Sequence, residues 1–554
     1  MPAPALPEPA PLAGGSSGPR ALRPLVETVL TALEEGATAR CGPLPAGGPG
    51  AVRRRLAERY GEVLPEHGTG AGEALHTLVH ALAEGAADPA HPHCAAHLHC
   101  PPLGVAVAAD LAACALNPSL DSWDQAPAAS ELERVVTARL ARLVHPVAPA
   151  PDALVTTGGT ESNLLGVLLA REHHGRSLRV ICGANAHHSI HRAAWLLGLP
   201  EPAVLPTPRG VLDPAAVRAA LALAAAAQSP ALVVATAGTT DSGAVDPLPE
   251  LADVVAAHRG PARALLHADA AYGGPLLLSD LHRHKLNGLH RADSVAFDLH
   301  KLGWQPVAAG LLTVPDAAAL APLGQRTEYL NAADDTEAGL PDLLDRSLRT
   351  SRRPDVLKIA VTLRALGRAG LAALVDRTCA IAAELAALVA AEPELTLYGE
   401  PTISTVLFRP RGASDAEVAA IRRRLLADGR AVLGRALAED RHGRRLLWLK
   451  ATLLNPDTEP GDLTALLKLV LDQHARGERR PPDTPRPQDP RRAPHVPRPA
   501  PARGTHHPPR EPGARQEAPA SPPPPPSLSP FSHRPTPHDR HHARDRRTSA
   551  DDHR

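Results

Sequence analysis

Residues 293–304 read DSVAFDLHKLGW. The run Ser294–Leu299 is apolar without in-and-out alternation, the pattern of a strand covered on both faces. It breaks into Asp298-Leu299-His300-Lys301, so the lysine falls just past the strand, at the mouth of a sheet. A lysine so placed is either a surface charge that follows a strand or an amine held for covalent chemistry. The stretch alone leaves both open.

Working outward, similar apolar runs recur between helical segments: LRVICG (178–183), ALVVATAG (231–238), ALLHADAA (264–271) and AAGLLTV (308–314). Continuous apolar runs alternating with helices predict a mostly parallel α/β sheet. A long Ala/Leu helix is expected at about 355–392. Beyond it come the strand candidates STVLFRP (404–410) and LLWLKATLL (446–454), with the helix AEVAAIRRRLLADG (416–429) between them, the pattern of a smaller α+β domain. LVETVLTALEE and EALHTLVHALAEG mark an amphipathic helical N-terminal region.

The expected organisation is a loose leader (1–20), a helical segment (21–95), a large domain (96–345), a small C-terminal domain (346–473) and a disordered tail rich in Pro, Arg and His (474–554). The tail is read as solvated, with no fixed site. Lys+Arg and Asp+Glu both number 59 in the 554 residues, so net charge gives no reason to expect a nucleic-acid or membrane partner. No apolar run approaches the roughly 20 residues of a membrane helix. The six cysteines show no paired spacing and no secretory leader is evident, which predicts a cytoplasmic protein; no metal site is expected.

Four other segments place reactive groups at strand-to-loop junctions. TTGGTESN (156–163) sets Gly158, Gly159 and Thr160 at a helix start, where backbone N–H groups can hold an anion, although Gly-Gly-Thr is also an ordinary turn. AHHSIH (186–191) offers His187 and His188, either satisfied surface groups or an imidazole that stacks on an aromatic ring. ATAGTTD (235–241) carries the hydroxyl pair Thr239-Thr240 and by itself reads as a turn. LHADAAYGG (266–274) puts Asp269 just past an apolar strand, where burial is costly without a cationic partner. An anion turn, an imidazole, a carboxylate and a lysine in this order match what pyridoxal phosphate requires.

These segments together resemble the group II pyridoxal-phosphate-dependent amino-acid decarboxylases, over about residues 85–455. AHLHCPP (96–102), LNPSLDSWDQAPAASELE (116–133) and residues 328–358 are most similar to the bacterial branch acting on lysine or 2,4-diaminobutyrate, with valine-type relatives. The resemblance implies a fold-type I transferase fold, with a mostly parallel seven-stranded sheet in the large domain. It also implies a homodimer with shared active sites, the helical segment packing on the partner. Lys301 would bond the cofactor aldehyde and Asp269 the pyridine nitrogen. His187 would stack on the ring opposite Ala271. Gly158, Gly159, Thr160 and His300 would meet the phosphate, and Thr240 would lie beside the ring.

The implied activity is decarboxylation of an L-amino acid to its amine, with lysine or 2,4-diaminobutyrate as substrate. Neutral aliphatic or aromatic substrates stay open, as does an aminotransferase or aldehyde-forming oxidative deaminase. The position of the family's lid tyrosine falls on Leu343, leaving His187 or a bound water as proton donor. His97, His99, Cys100, Trp123 and Gly303 are expected to line the pocket, and Gly303 to tune its shape. Asp334, Asp335 and Glu337 either meet a distal ammonium or belong to a solvated lid, and Arg353 belongs to a segment ordered near the site.

Overall fold

The computed structural model describes residues 12–260, 263–324, 334, 337–340 and 343–478. Three helices open it: α1 (Gly18–Arg40), α2 (Gly48–Tyr60) and α3 (Ala71–Gly85). The strand β1 (Cys94–Ala95) and the helices α4 (Gly104–Leu116) and α5 (Pro127–Val144) lead into the main sheet.

Strands and helices then alternate as β2 (Asp152–Thr156), α6 (Gly159–His174), β3 (Arg179–Gly183), α7 (Ser189–Leu196), β4 (Ala203–Leu205), α8 (Pro214–Ala226), β5 (Ala231–Thr236) and α9 (Leu248–Ala257). The strands β6 (Leu265–Ala270), β7 (Ser294–Asp298) and β8 (Gly310–Val314) complete a seven-stranded sheet ordered β2-β8-β7-β6-β5-β3-β4. Neighbouring strands from β7 across to β4 are parallel, whereas β8 runs antiparallel to both β7 and β2. Every residue of β5, β7 and β8 is buried, which accounts for their unbroken apolar runs.

The helix Val356–Ala391 leads to a second sheet built from β9 (Leu395–Leu397), β10 (Thr405–Pro410), β11 (Val432–Glu439) and β12 (Arg445–Thr452). Its order is β1-β11-β12-β10-β9, and β1 pairs parallel to β11. Residues 94–95, from the segment read as helical, thus belong to this sheet. The helix Asp415–Ala427 starts with a capping box, in which Ser414 and Glu417 satisfy each other's backbone N–H. The apolar pattern does not announce β4 or β11. The first is a three-residue edge strand, and the second carries Gly434 and Arg435 and turns outward along its length.

Buried polar contacts join the two sheets. Trp304 Nε1 donates to Leu454 O at 2.8 Å, and the Tyr272 hydroxyl lies 2.8 Å from Ser404 Oγ and 3.0 Å from Thr405 Oγ1. Elsewhere in the core, Arg352 grips Glu133 of α5 through two 2.8 Å bonds, with side chains only 1% and 2% exposed.

Removing one partner of a buried ion pair leaves an uncompensated charge, at a cost of about 3–5 kcal/mol. Glu133→Ala is therefore expected to lower the urea midpoint sharply, and the double change Glu133→Leu/Arg352→Met to recover most of the loss. A single-variant loss under about 1 kcal/mol would show that the pair does not anchor this segment.

Candidate active site

The C-terminal ends of β2, β3, β5, β6 and β7 open onto one cavity of about 470 Å³. Gly158, Gly159, Thr160, His187, Thr240, Asp269, Ala271, His300 and Lys301 all line it, joined by Asn163, Asp298, His97 and Lys450.

The chain leaves β2 through Thr157 and Gly158 into α6. Thr157 N and Oγ1 both donate to Glu161 Oε2 at 2.7 Å, which ties the turn to the first helical turn. Gly158 has φ +150°, and a Cβ there would stand 2.7 Å from His300 Cε1. A Cβ on Gly159 would stand 2.8 Å from the Ala271 methyl and 3.2 Å from Asp298 Oδ2. Two glycines thus keep the N-terminus of α6 bare, and its outward N–H groups and helix dipole suit an anion.

Asp269 is 6% exposed. Its Oδ2 accepts from Asn163 Nδ2 at 2.8 Å and its Oδ1 from Ala271 N at 3.2 Å. Behind it, His267 Nε2 lies 2.9 Å from Asn163 Oδ1 and His267 Nδ1 lies 2.8 Å from Ser294 Oγ. Complete burial drives the His267 pKa down to about 4, so this imidazole is neutral.

His187 sits at the start of α7, with Nδ1 2.8 Å from Ser189 Oγ. Burial lowers its pKa, against the opposing pull of Asp269. His188, the neighbouring candidate, is exposed and does not line the cavity. Lys301 Nζ lies 2.8 Å from Asp298 Oδ2, and His300 Nε2 lies 3.5 Å from the same oxygen. Burial lowers the His300 pKa, Asp298 opposing. From the small sheet, Lys450 Nζ donates to Thr240 O at 2.8 Å and pins the loop after β5. Burial lowers its pKa as well, with Asp241 opposing.

Several expected pocket residues lie elsewhere. Gly303 does not line this subunit's cavity: a Cβ there would meet Leu299 O at 2.5 Å, so the glycine serves a tight turn against backbone. His99 and Trp123 are also outside this subunit's lining, and Leu343, at the lid-tyrosine position, is outside it too. A site shared across a homodimer, as the resemblance implies, would draw such residues from the partner subunit. Cys100 is buried beneath it, its thiol donating to His300 O at 3.4 Å. Arg353 is an exposed side chain paired with Asp110 at 2.8 Å, while its neighbour Arg352 is the buried one. Asp334 and Glu337 are exposed and off the cavity; Asp335 lies outside the described residues.

Asn163, Ser189, Asp298 and Lys450 are the contributors that sequence reading passes over. Lys450 had a signal, being the one cation inside the apolar run LLWLKATLL. Asp298 had another, standing three residues before Lys301.

The donor set and the bare glycine turn fit pyridoxal phosphate: an anion site, a flat slot floored by Ala271, a buried carboxylate and an amine border one cavity. The comparisons agree. A family model described as the pyridoxal-dependent decarboxylase conserved domain matches residues 62–411. An L-2,4-diaminobutyrate decarboxylase of Rhizobium meliloti (strain 1021) is 40% identical over 74% of this chain and 83% of its own length. Another L-2,4-diaminobutyrate decarboxylase, from Acinetobacter baumannii, is 33% identical over 62% of this chain and 72% of its own. A solved glutamate decarboxylase domain of a Vibrio parahaemolyticus diaminobutyrate-pyruvate transaminase and L-2,4-diaminobutyrate decarboxylase superposes with a TM-score of 0.73 at 30% identity. It covers 84% of this chain and 98% of that one.

Gly159→Ala is expected to weaken pyridoxal phosphate binding at least tenfold, about 1.4 kcal/mol, with far-ultraviolet circular dichroism unchanged. An unaltered Kd in a fluorescence titration would take this turn out of the cofactor site.

Proposed function

This chain belongs to the pyridoxal-dependent decarboxylase family, and from that membership we propose that it decarboxylates an L-diamino acid, 2,4-diaminobutyrate or lysine, to the diamine. The observation that carries the reading is the meeting of Lys301, Asp269, His187 and the Gly158-Gly159 turn around one cavity. The names of the two bacterial relatives support the substrate class.

Bound pyridoxal phosphate supplies an electrophilic aldehyde and a ring that accepts the electron pair left behind by departing CO2. The protein's part is orientation and charge. The N-terminal amides of α6, with Thr160 and His300, would hold the phosphate. Lys301 would hold the aldehyde carbon, with Asp298 as counter-ion at 2.8 Å. Asp269 would face the ring nitrogen, steadied by two N–H donors that leave it little freedom to turn. Ala271 and His187 would enclose the two faces of the ring, and Thr240 would lie beside it, its loop pinned by Lys450.

The working unit in this reading is a homodimer. Leu30, Leu33, Leu56, Tyr60, Leu78 and Leu82 on α1–α3 are all more than a third exposed, an apolar surface that a second copy would cover. The described cysteines are free, which supports a reducing cytoplasm. Among the described residues, no helix is long and apolar enough to cross a membrane.

Purified enzyme given lysine, ornithine, 2,4-diaminobutyrate, valine, leucine, tyrosine and glutamate is expected to release CO2 and amine in equal amounts. The highest kcat/KM should fall on a diamino acid. Lys301→Ala should cut the rate by ~1000-fold or more and abolish visible absorbance with the cofactor. Carbonyl product without amine would overturn the decarboxylase reading, and a neutral or acidic best substrate the diamino one.

A further inference from the structure

A continuous hydrogen-bonded chain runs behind the cavity and joins Asp269, assigned to the ring nitrogen, to His187, assigned to one face of the ring. Asp269 Oδ2 accepts from Asn163 Nδ2, which also donates to Ser189 Oγ at 2.9 Å; Ser189 Oγ in turn lies 2.8 Å from His187 Nδ1. On its other side, Asn163 Oδ1 faces His267 Nε2 at 2.9 Å. Asn163 and Ser189 are both 1% exposed, so water does not compete for these bonds.

The direction of every bond follows from one end. Turning the Asn163 amide over would set its Oδ1 against Asp269 Oδ2 at 2.8 Å, two acceptors in contact. The amide nitrogen must therefore face the aspartate, and Oδ1 must face His267, which carries its proton on Nε2 and accepts from Ser294 at Nδ1. The second Asn163 N–H goes to Ser189 Oγ, and the Ser189 hydroxyl hydrogen then points to His187 Nδ1. The Ser189 backbone N–H also points there, at 3.4 Å. With two donors aimed at it, Nδ1 is the acceptor nitrogen of this ring.

We propose that Asn163 and Ser189 are positioning residues that hold His187 as a neutral imidazole with its one ring proton on Nε2. His187 then presents a fixed N–H donor to the cavity, and the acid that returns a proton to Cα is another group. Acting as that acid would require a second proton at Nδ1, where the Ser189 hydroxyl and amide already donate. The groups facing the ring are Asp269 from β6, Asp298 and Lys301 from the end of β7, and His188, whose ring centroid is 4.1 Å away. His97, His300 and Lys450 border the same cavity. Burial of the ring acts in the same direction as the Ser189 donors.

The inference rests on the proposed cofactor pose for its meaning in the reaction, but the tautomer is measurable without turnover. Full-length protein labelled with 15N-histidine is read by NMR with and without pyridoxal phosphate, His187 being identified by the resonances lost in His187→Gln. The expected result is an unprotonated Nδ1 and a protonated Nε2, unchanged between about pH 5.5 and 8, where an ordinary histidine titrates. Ser189→Ala should bring His187 titration into that window, and Ser189→Thr, which keeps the hydroxyl, should restore the wild-type pattern. A protonated Nδ1 in the wild type, or a Ser189→Ala protein indistinguishable from it, would overturn the proposal. The wild-type spectrum decides even if Ser189→Ala fails to fold. A protein that never takes up the cofactor would instead count against the proposed function and leave the tautomer result standing.

Discussion

A carboxylate buried at the end of a central strand is the constraint around which the cavity is arranged. Asp269 loses nearly all contact with water, and a lone buried carboxylate costs several kcal/mol. Two N–H donors offset part of that cost, one from the Ala271 backbone and one from Asn163. Asn163 can reach Asp269 only because α6 starts at Gly159 and runs back across β6 and β7. That start depends on glycines able to pass His300 and Ala271 closely. Each of these elements is thereby fixed by the need to satisfy one side chain.

Strand order does the remaining gathering. With β5, β6 and β7 adjacent and parallel, Thr240, Asp269 and Lys301 emerge on the same side of the sheet although up to 61 residues separate them in sequence. Open α/β sheets bind ligands outside the carboxyl ends of their strands for this reason. The antiparallel strand β8 lies between β7 and β2, and its Gly310 is packed so tightly that a Cβ would stand 2.4 Å from Gly158 Cα. The anion turn and the lysine are held together by that absent side chain.

The central strands β3, β5, β6, β7 and β8 were legible because their burial is written in local sequence, whereas the count of seven strands came from the family resemblance. Buried parallel strands have unbroken apolar runs, and Asp269, His187, Thr240 and Lys301 each stand at the end of one or within four residues past it. The contributors that escaped act across the fold. Lys450 reaches the cavity from β12, and Asn163 and Ser189 look like ordinary helix-start residues until their bonds to Asp269 and His187 are seen. Gly303 misled for the opposite reason. Its closeness to Lys301 in sequence suggested a place in the pocket, but the turn after β7 folds it against the Leu299 backbone. Arg352 and Arg353 form a similar case, since a sequence pair cannot show which of two adjacent arginines the fold buries.

In the proposed reading, substrate choice has a different structural origin from cofactor binding. The residues proposed for the cofactor belong almost entirely to the large sheet. On the cavity's remaining border stand His97 and Leu98, just after β1, and Lys450 on β12, all tied to the small sheet. Among the contacts that locate that sheet are Trp304 with Leu454, Tyr272 with Ser404 and Thr405, and Lys450 with Thr240. Tyr272 follows Asp269 by three residues, and Trp304 follows Lys301 by three. The loops proposed to carry the chemistry thus also hold the small sheet that borders the cavity. In the proposed reading the side chains free to differ with substrate are those of His97, Leu98 and Lys450, which face the cavity, while Gly303 is packed against the Leu299 backbone.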